Sequence, residues 1–243
     1  MIEVSDLSLV YLDEGEENRV IDLLSLRVEA GESLAIIGPS GCGKTSLLFI
    51  LAGLLRPTSG SVVIGGEPVL RPRRDVALIL QETGLLPWKT VWQNAILGLP
   101  LDGLADLRRI KRALRELDLE GLEHRYPSQL SGGEKKRVSL ARALAQNAKV
   151  LLMDEPLAAL DALTREHTQN LILKLWKRHG FTTVLVTHDI EEAVFLGQRI
   201  LALSQRPAHI VDVIANPGMG EESYRQSGEF FDKVREVRVL LEQ

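Results

Sequence analysis

The sequence predicts an α/β fold, and three observations carry that expectation. A glycine-rich turn at 38–43 separates a short apolar run from an amphipathic stretch. Residues 133–203 alternate between helix-like and strand-like periods. The first 30 residues instead alternate apolar and polar side chains, as strands with one solvated face do. The chain has 243 residues, 45% of them hydrophobic and 26% charged. A chain of that size hides about 70–75% of its unfolded surface, so burial is ample.

Taken in order, 2–11 and 20–28 read as strands, joined by an acidic turn at 13–18 that contains Gly15. A short apolar strand at 33–37 leads straight into the glycine-rich turn. From Lys44 onward, Leu47, Leu48, Leu51, Leu54 and Leu55 recur at helical spacing, and Arg56-Pro57 ends that helix. Residues 61–64 return to strand, and Gly65-Gly66 supplies a hairpin turn. From 85 to 130 the pattern changes. Pro87, Pro100 and Pro127 punctuate it, and 104–117 is a charged helix with leucines on one face, so a helical insert is expected. Helix 133–146, strand 150–153, helix 164–178, strand 183–186, helix 190–196 and strand 200–203 then follow, which favours a mostly parallel sheet. Asp189 and Glu192 form an expected N-cap pair. In the tail, Phe230, Val234, Val237 and Leu241 share one helical face.

The net charge of -4 gives no broad cationic field, so nucleic acid is not an expected partner. Cys42 is the single cysteine, which rules out an intrachain disulfide. The segment 1–6 lacks the basic and apolar regions of a signal peptide. No apolar run reaches the roughly 18–20 residues that span a bilayer, so membrane association is expected only through a partner.

Gly38-Pro39-Ser40-Gly41-Cys42-Gly43-Lys44-Thr45 matches the P-loop pattern, between a strand and a helix as the pattern requires. Its glycines let the backbone curl so that successive N–H groups point inward, and the helix N-terminus adds partial positive charge. Lys44 supplies a point charge for the β- and γ-phosphates, and the Thr45 hydroxyl can ligate Mg²⁺. Cys42 lies at a helix N-terminus, where thiol pKa falls, or is a small filler. The apolar run 150–153 ends in Asp154-Glu155. Adjacent acids repel, and a bound cation makes sense of them: Asp154 would hold Mg²⁺ and Glu155 would polarise the attacking water.

Leu130-Ser131-Gly132-Gly133-Glu134 resembles the signature of ABC ATPases, which normally reads LSGGQ. The remaining landmarks of that family follow in order. Tyr11 resembles the aromatic that stacks on adenine, Gln81 the Q-loop glutamine, Ala159-Leu160-Asp161 the D-loop and His188 the switch histidine. Thr45-Ser46 inverts the commoner Ser-Thr order and keeps a hydroxyl at both places. Glu134 departs from the usual glutamine, an acid in the first helical turn that suits the helix dipole. The resemblance spans roughly residues 1–215. It implies a P-loop NTPase of the ABC ATPase type, with an N-terminal antiparallel β subdomain and a helical subdomain insert. Residues 1–220 would be the ATPase domain, with the helical subdomain at about 85–147, and 221–243 a C-terminal helix.

The family further implies a head-to-tail homodimer with ATP and Mg²⁺ between subunits. Lys44, Gln81, Glu155 and His188 would be catalytic, and Thr45, Gln81 and Asp154 would face the metal. Tyr11, the loop from Gly38 to Ser46, and Gln81 would meet the nucleotide from one subunit. Ser131 and Gly133 would complete the pocket from the other subunit, and Gly132 and Asp161 would also meet the nucleotide. Read alone, Ser-Gly-Gly is an N-cap with a flexible turn. Leu85, Leu86 and Trp88 read either as a surface for a partner helix or as a buried cluster. With the stretches 187–193 and 203–207, this region resembles the ATPases of nitrate, sulfonate, taurine and bicarbonate importers. That resemblance implies import powered from the cytoplasmic face of the cell membrane, through integral permease subunits and, indirectly, a solute-binding protein. Exporter ATPases share every catalytic motif. Soluble ABC ATPases acting on nucleic acid or ribosomes would carry paired cassettes or a long coiled-coil insertion.

Overall fold

A computed structural model describes residues 1–13, 15–97, 99 and 104–241. Two sheets organise the chain. Strands β1 (Ile2–Asp13), β2 (Glu16–Val28), β4 (Ser59–Ile64) and β5 (Glu67–Pro68) form an antiparallel sheet in the order β2-β1-β4-β5. Strands β3 (Ser33–Ile37), β6 (Val76–Ile79), β7 (Val150–Asp154), β8 (Thr182–Val186), β9 (Arg199–Leu203) and β10 (Ile210–Ala215) form the second, ordered β10-β9-β3-β8-β7-β6. Its pairings are parallel except at the β10 edge.

The central strands are buried on both faces, which is why they read as continuous apolar runs. Their side chains sort by the two-residue period. Leu34 and Ile36 of β3, Val150 and Leu152 of β7, and Val184 and Val186 of β8 enter one core with helix α1 (Lys44–Leu51) and the antiparallel sheet. Ala35, Ile37, Leu151, Met153 and Leu185 enter the other. That second core also takes α2 (Val91–Ala95), α3 (Leu104–Glu116), α4 (Gly132–Ala145), α5 (Ala162–His179), α6 (Ile190–Leu196) and α7 (Gly228–Leu241).

Four details differ from the sequence reading. The acidic turn shrinks, because pairing continues through Tyr11↔Asn18, Leu12↔Glu17 and Asp13↔Glu16. Helix α1 stops at Leu51, and Leu54 is exposed rather than core-facing. The stop goes with Gly53, at φ 73, where a Cβ would lie 2.4 Å from the carbonyl carbon of Arg71. Strands β6 and β10 are additional elements. Asp189 does cap α6, accepting from the Glu192 amide at 3.1 Å. Glu192 does not reciprocate and accepts instead from the Thr187 hydroxyl at 2.7 Å. Pro100 lies outside the described residues.

The tail packs onto the molecule. A 3₁₀ turn at Glu222–Gln226 precedes α7, whose Phe230, Val234 and Val237 are buried while Leu241 packs at the margin. Tyr224 joins this face edge-on to Phe230 and donates its hydroxyl to Asn216 at 2.6 Å.

Candidate nucleotide-binding site

Parallel strands deliver their C-terminal ends to one edge, and the site residues gather there. Strand β3 ends at Ile37 and feeds the glycine turn. Gly38 and Gly43 hold φ of 159° and 121°. A Cβ at Gly38 would lie 2.8 Å from the Leu203 carbonyl oxygen, and one at Gly43 would lie 2.8 Å from a Val20 methyl. The loop therefore fits between β9 and β2 only because both positions are glycine. Ser40 and Gly41 are exposed at its tip, where inward N–H groups can meet an anion. The Lys44 ammonium is buried and donates to the Gly38 and Pro39 carbonyls, each at 2.8 Å. Cys42 is also buried, its Sγ 3.9 Å from the Lys44 ammonium, which fits a small filler of the loop's underside. Ser46 is half-buried one position beyond Thr45. Arg206, which the sequence reading did not single out, donates to the Gly41 carbonyl at 2.6 Å.

Strand β7 ends with the acids. Thr45 donates its hydroxyl to Asp154 at 3.1 Å, so helix α1 and β7 meet through a hydroxyl–carboxylate pair. Burial raises the pKa of Asp154, a change opposed by Thr45, added to by Glu155 and opposed again by Lys44 and Lys136. Glu155 follows in a left-handed conformation, φ 43°, anchored by its N–H to the Val186 carbonyl at 2.8 Å. That conformation is costly for a residue with a Cβ, and such strain clusters at functional positions. The Glu155 carboxylate lies beside His188, with Nδ1 3.0 Å from Glu155 Oε1. The His188 side chain is 66% exposed, facing the open edge rather than the core.

Gln81 follows β6, and its side chain is exposed. Its main-chain carbonyl accepts from Lys136, a lysine on α4 that is only 6% exposed. Burial lowers the pKa of Lys136, against the pull of Glu192, Asp154 and Glu155. Tyr11 lies on the antiparallel sheet, 42% exposed and opposite Asn18. That sheet reaches the P-loop through Val20 of β2.

Ser131 caps α4, accepting from the Glu134 amide at 3.2 Å, while Glu134 accepts from the Ser131 amide at 2.6 Å. This reciprocal box explains the acid at 134: its pKa is lowered first by the Ser131 N–H, and the side chain serves the helix end. Gly132 presses on the loop before α5, and Gly133 on the first turn of α5. A Cβ at Gly133 would meet a Thr164 methyl at 2.5 Å, and one at Gly132 would meet Leu160 at 3.3 Å. Asp161 caps α5 through the Thr164 amide at 3.0 Å and stays exposed. Ser131 and Asp161 thus share a neighbourhood. Among the described residues their hydrogen bonds run to their own helices, not to the P-loop.

The alternatives left open for Leu85, Leu86 and Trp88 divide. Leu85 packs on the core, and Leu86 is pinned by Asn94, whose side chain meets its N–H at 2.8 Å and its carbonyl at 3.1 Å. Trp88 is 69% exposed.

Glu192 is the buried group that sequence reasoning passed over as a cap. Burial pushes its pKa up to about 7, with the Thr187 hydroxyl opposing, and its Oε1 has no hydrogen-bond partner among the described residues. Folding therefore takes up a proton between the ordinary 4.5 and about 7, and stability falls as pH rises through that window. At about 1.4 kcal/mol per pKa unit, the full penalty above pH 7 is on the order of 3 kcal/mol. The Glu192→Gln variant is expected to melt several degrees above wild type at pH 8, a gap that closes toward pH 5. Equal melting temperatures at both pH values would contradict the burial penalty.

Known proteins match this chain broadly. Residues 21–158 match the ABC transporter family. The chain is 42% identical over 216 residues to MJ0412, an uncharacterized ABC transporter ATP-binding protein of Methanocaldococcus jannaschii, covering 88% of this chain and 81% of that one. It is 43% identical over 215 residues to the taurine import ATP-binding protein TauB of Escherichia coli K12, covering 87% and 83%. Among solved structures, the dimeric bacterial ABC transporter cassette MJ0796 superposes with a TM-score of 0.79 at 31% identity, covering 88% of this chain and 98% of that one. Its dimeric post-hydrolysis state bound to ADP and Pi superposes at 0.78 and 30% identity, with the same coverage. With that coverage joined to the ordered site on one sheet edge, the chain belongs to the ABC transporter family, as one of its ATP-binding ATPase subunits.

Proposed function

We propose that this chain hydrolyses ATP to power solute import as the motor subunit of an ABC transporter of the nitrate, sulfonate, taurine or bicarbonate class. The observation that carries the hydrolytic part is the Glu155–His188 pair at 3.0 Å, beside the Thr45–Asp154 pair at the P-loop. The relative named for taurine import, at 43% identity, supports the import class and a sulfonate-like solute. Residues 1–220 would be the catalytic domain, with its helical subdomain at about 85–147, and 221–243 an appended helix.

ATP enters with its triphosphate over the turn 38–43, and Lys44 moves from the loop carbonyls onto the β- and γ-phosphates. The adenine would stack on the exposed Tyr11. The donor set fits Mg²⁺: a hydroxyl from Thr45, a carboxylate from Asp154 and an amide from Gln81 are hard oxygen ligands, and Asp154 is a buried acid short of positive compensation. When bound, the ion would neutralise charge on the phosphate oxygens. Glu155 would take a proton from the attacking water, and His188, 3.0 Å away and exposed, would orient that carboxylate. Ser131 and Gly132, exposed at the start of α4, and the cap at Asp161 would meet the nucleotide of a second copy, as the dimeric relatives support, whereas Gly133, expected there too, is buried against Thr164.

Among the described residues no helix is long and apolar enough to cross a membrane. Attachment at the cytoplasmic face would come through permease subunits, with the exposed Trp88 on the docking segment and a solute-binding protein reached only through them. The test is phosphate release from Mg²⁺-ATP by the purified chain, with recovery of an integral membrane subunit when the two are co-expressed. Nucleotide binding without turnover would replace this reading by a regulatory module.

A further inference from the structure

Three side chains on one face of α4 grip three carbonyls of the segment that follows β6. Lys136 donates to the Gln81 carbonyl, Ser139 donates to that of Thr83 at 2.7 Å, and Arg142 donates to that of Gly84 through both terminal nitrogens at 3.2 Å. The spacing 136, 139, 142 repeats every three residues, which keeps all three side chains on neighbouring turns of one face. Residues 81–84 belong to no helix or strand, so their backbone acceptors depend on this outside help. Arg142 also reaches the Asn94 carbonyl at 3.2 Å, and Asn94 in turn holds Leu86. The segment is therefore fastened to α4 directly from Gln81 to Gly84, and at Leu86 indirectly through Asn94.

Lys136 is the end of this row nearest the chemistry. It is buried, its charge faces Asp154, Glu155 and Glu192, and it lies on the helix that Ser131 begins. A buried lysine costs stability unless its donors are used, and here the ammonium donates to the Gln81 carbonyl, with the nearby acids only partly offsetting its burial. We infer that Lys136 is a positioning residue, which ties the Gln81 segment to α4 so that the Gln81 amide and the path to Trp88 follow the signature helix. The inference rests on the proposed ATPase reading. On it, a shift of α4 when ATP draws two subunits together is passed to the 81–88 segment as a rigid displacement.

The test compares Lys136→Met, which keeps length but removes charge and donor, with Lys136→Gln, which keeps a donor. Expected for Lys136→Met is a fall in kcat of about tenfold from a misplaced Gln81, with KM for ATP within about threefold. Lys136→Gln recovers part of kcat. Backbone hydrogen exchange over 81–88 quickens in Lys136→Met, and the central strands keep their protection. Wild-type kcat in Lys136→Met, or unchanged exchange over 81–88, would overturn the inference, as would Lys136→Gln losing as much activity as Lys136→Met. Should Lys136→Met not fold, Lys136→Gln decides alone: a kcat below wild type with faster exchange over 81–88 supports the inference, and wild-type values for both defeat it. A wild-type chain that releases no phosphate defeats the ATPase reading instead, and the exchange comparison still judges Lys136.

Discussion

The Glu155→Gln variant is expected to bind ATP with wild-type affinity, lose turnover by about 10²–10⁴-fold and accumulate as an ATP-bound dimer. The amide has the size of the carboxylate and can keep a contact with His188, which now lies 3.0 Å away, but it cannot accept the proton of water. The fold should survive, because the left-handed φ of 43° at this position costs glutamine no more than glutamate. Phosphate release and size-exclusion chromatography with and without ATP check both halves of the expectation. Wild-type turnover in this variant would remove Glu155 as the base.

The Lys44→Ala variant is expected to lose ATP affinity rather than turnover alone. Its ammonium is buried beneath the phosphate loop, on the Gly38 and Pro39 carbonyls, so no water-filled surface replaces it when it is gone. Truncating one partner of a buried, hydrogen-bonded charge pair typically costs 2–5 kcal/mol, which is roughly 30-fold to several-thousand-fold in Kd. Loss of Lys44 also removes one of the two cations that restrain Asp154 from holding a proton. Titration calorimetry with ATP measures the change directly. An affinity within threefold of wild type would place the phosphates elsewhere.

The parts of the site that were legible in the sequence are those whose chemistry is local. A strand, glycine turn and helix must occur together for backbone N–H groups to converge, and Gly38–Thr45 has them in order. Two acids at the end of an apolar strand marked Asp154 and Glu155 on local chemistry, whereas His188 was singled out by the family resemblance alone and the fold sets it 3.0 Å from Glu155. Lys136 was invisible because its burial depends on the 81–84 backbone, brought beside α4 only by the tertiary fold. Glu192 was misread for a related reason: the helix-start pattern was real, but Thr187 competed for its carboxylate and won. The early stop of α1 goes with the left-handed φ of Gly53, which lies so near the Arg71 backbone that only glycine fits, a long-range constraint that local periodicity does not see. Strand β10 has an apolar run of its own, broken only by Asp212, so it was legible in the sequence, and its exposed Val211 and Val213 mark it as an edge.

Crosslinking tests the shared pocket most directly. In a Glu155→Gln background with Cys42→Ala removing the native thiol, Ser131→Cys on one copy and Ser40→Cys on another can be joined by a short bifunctional thiol reagent. The account predicts a covalent dimer that forms with ATP and not without it. Failure to link the two positions across subunits in the ATP-loaded state would contradict it.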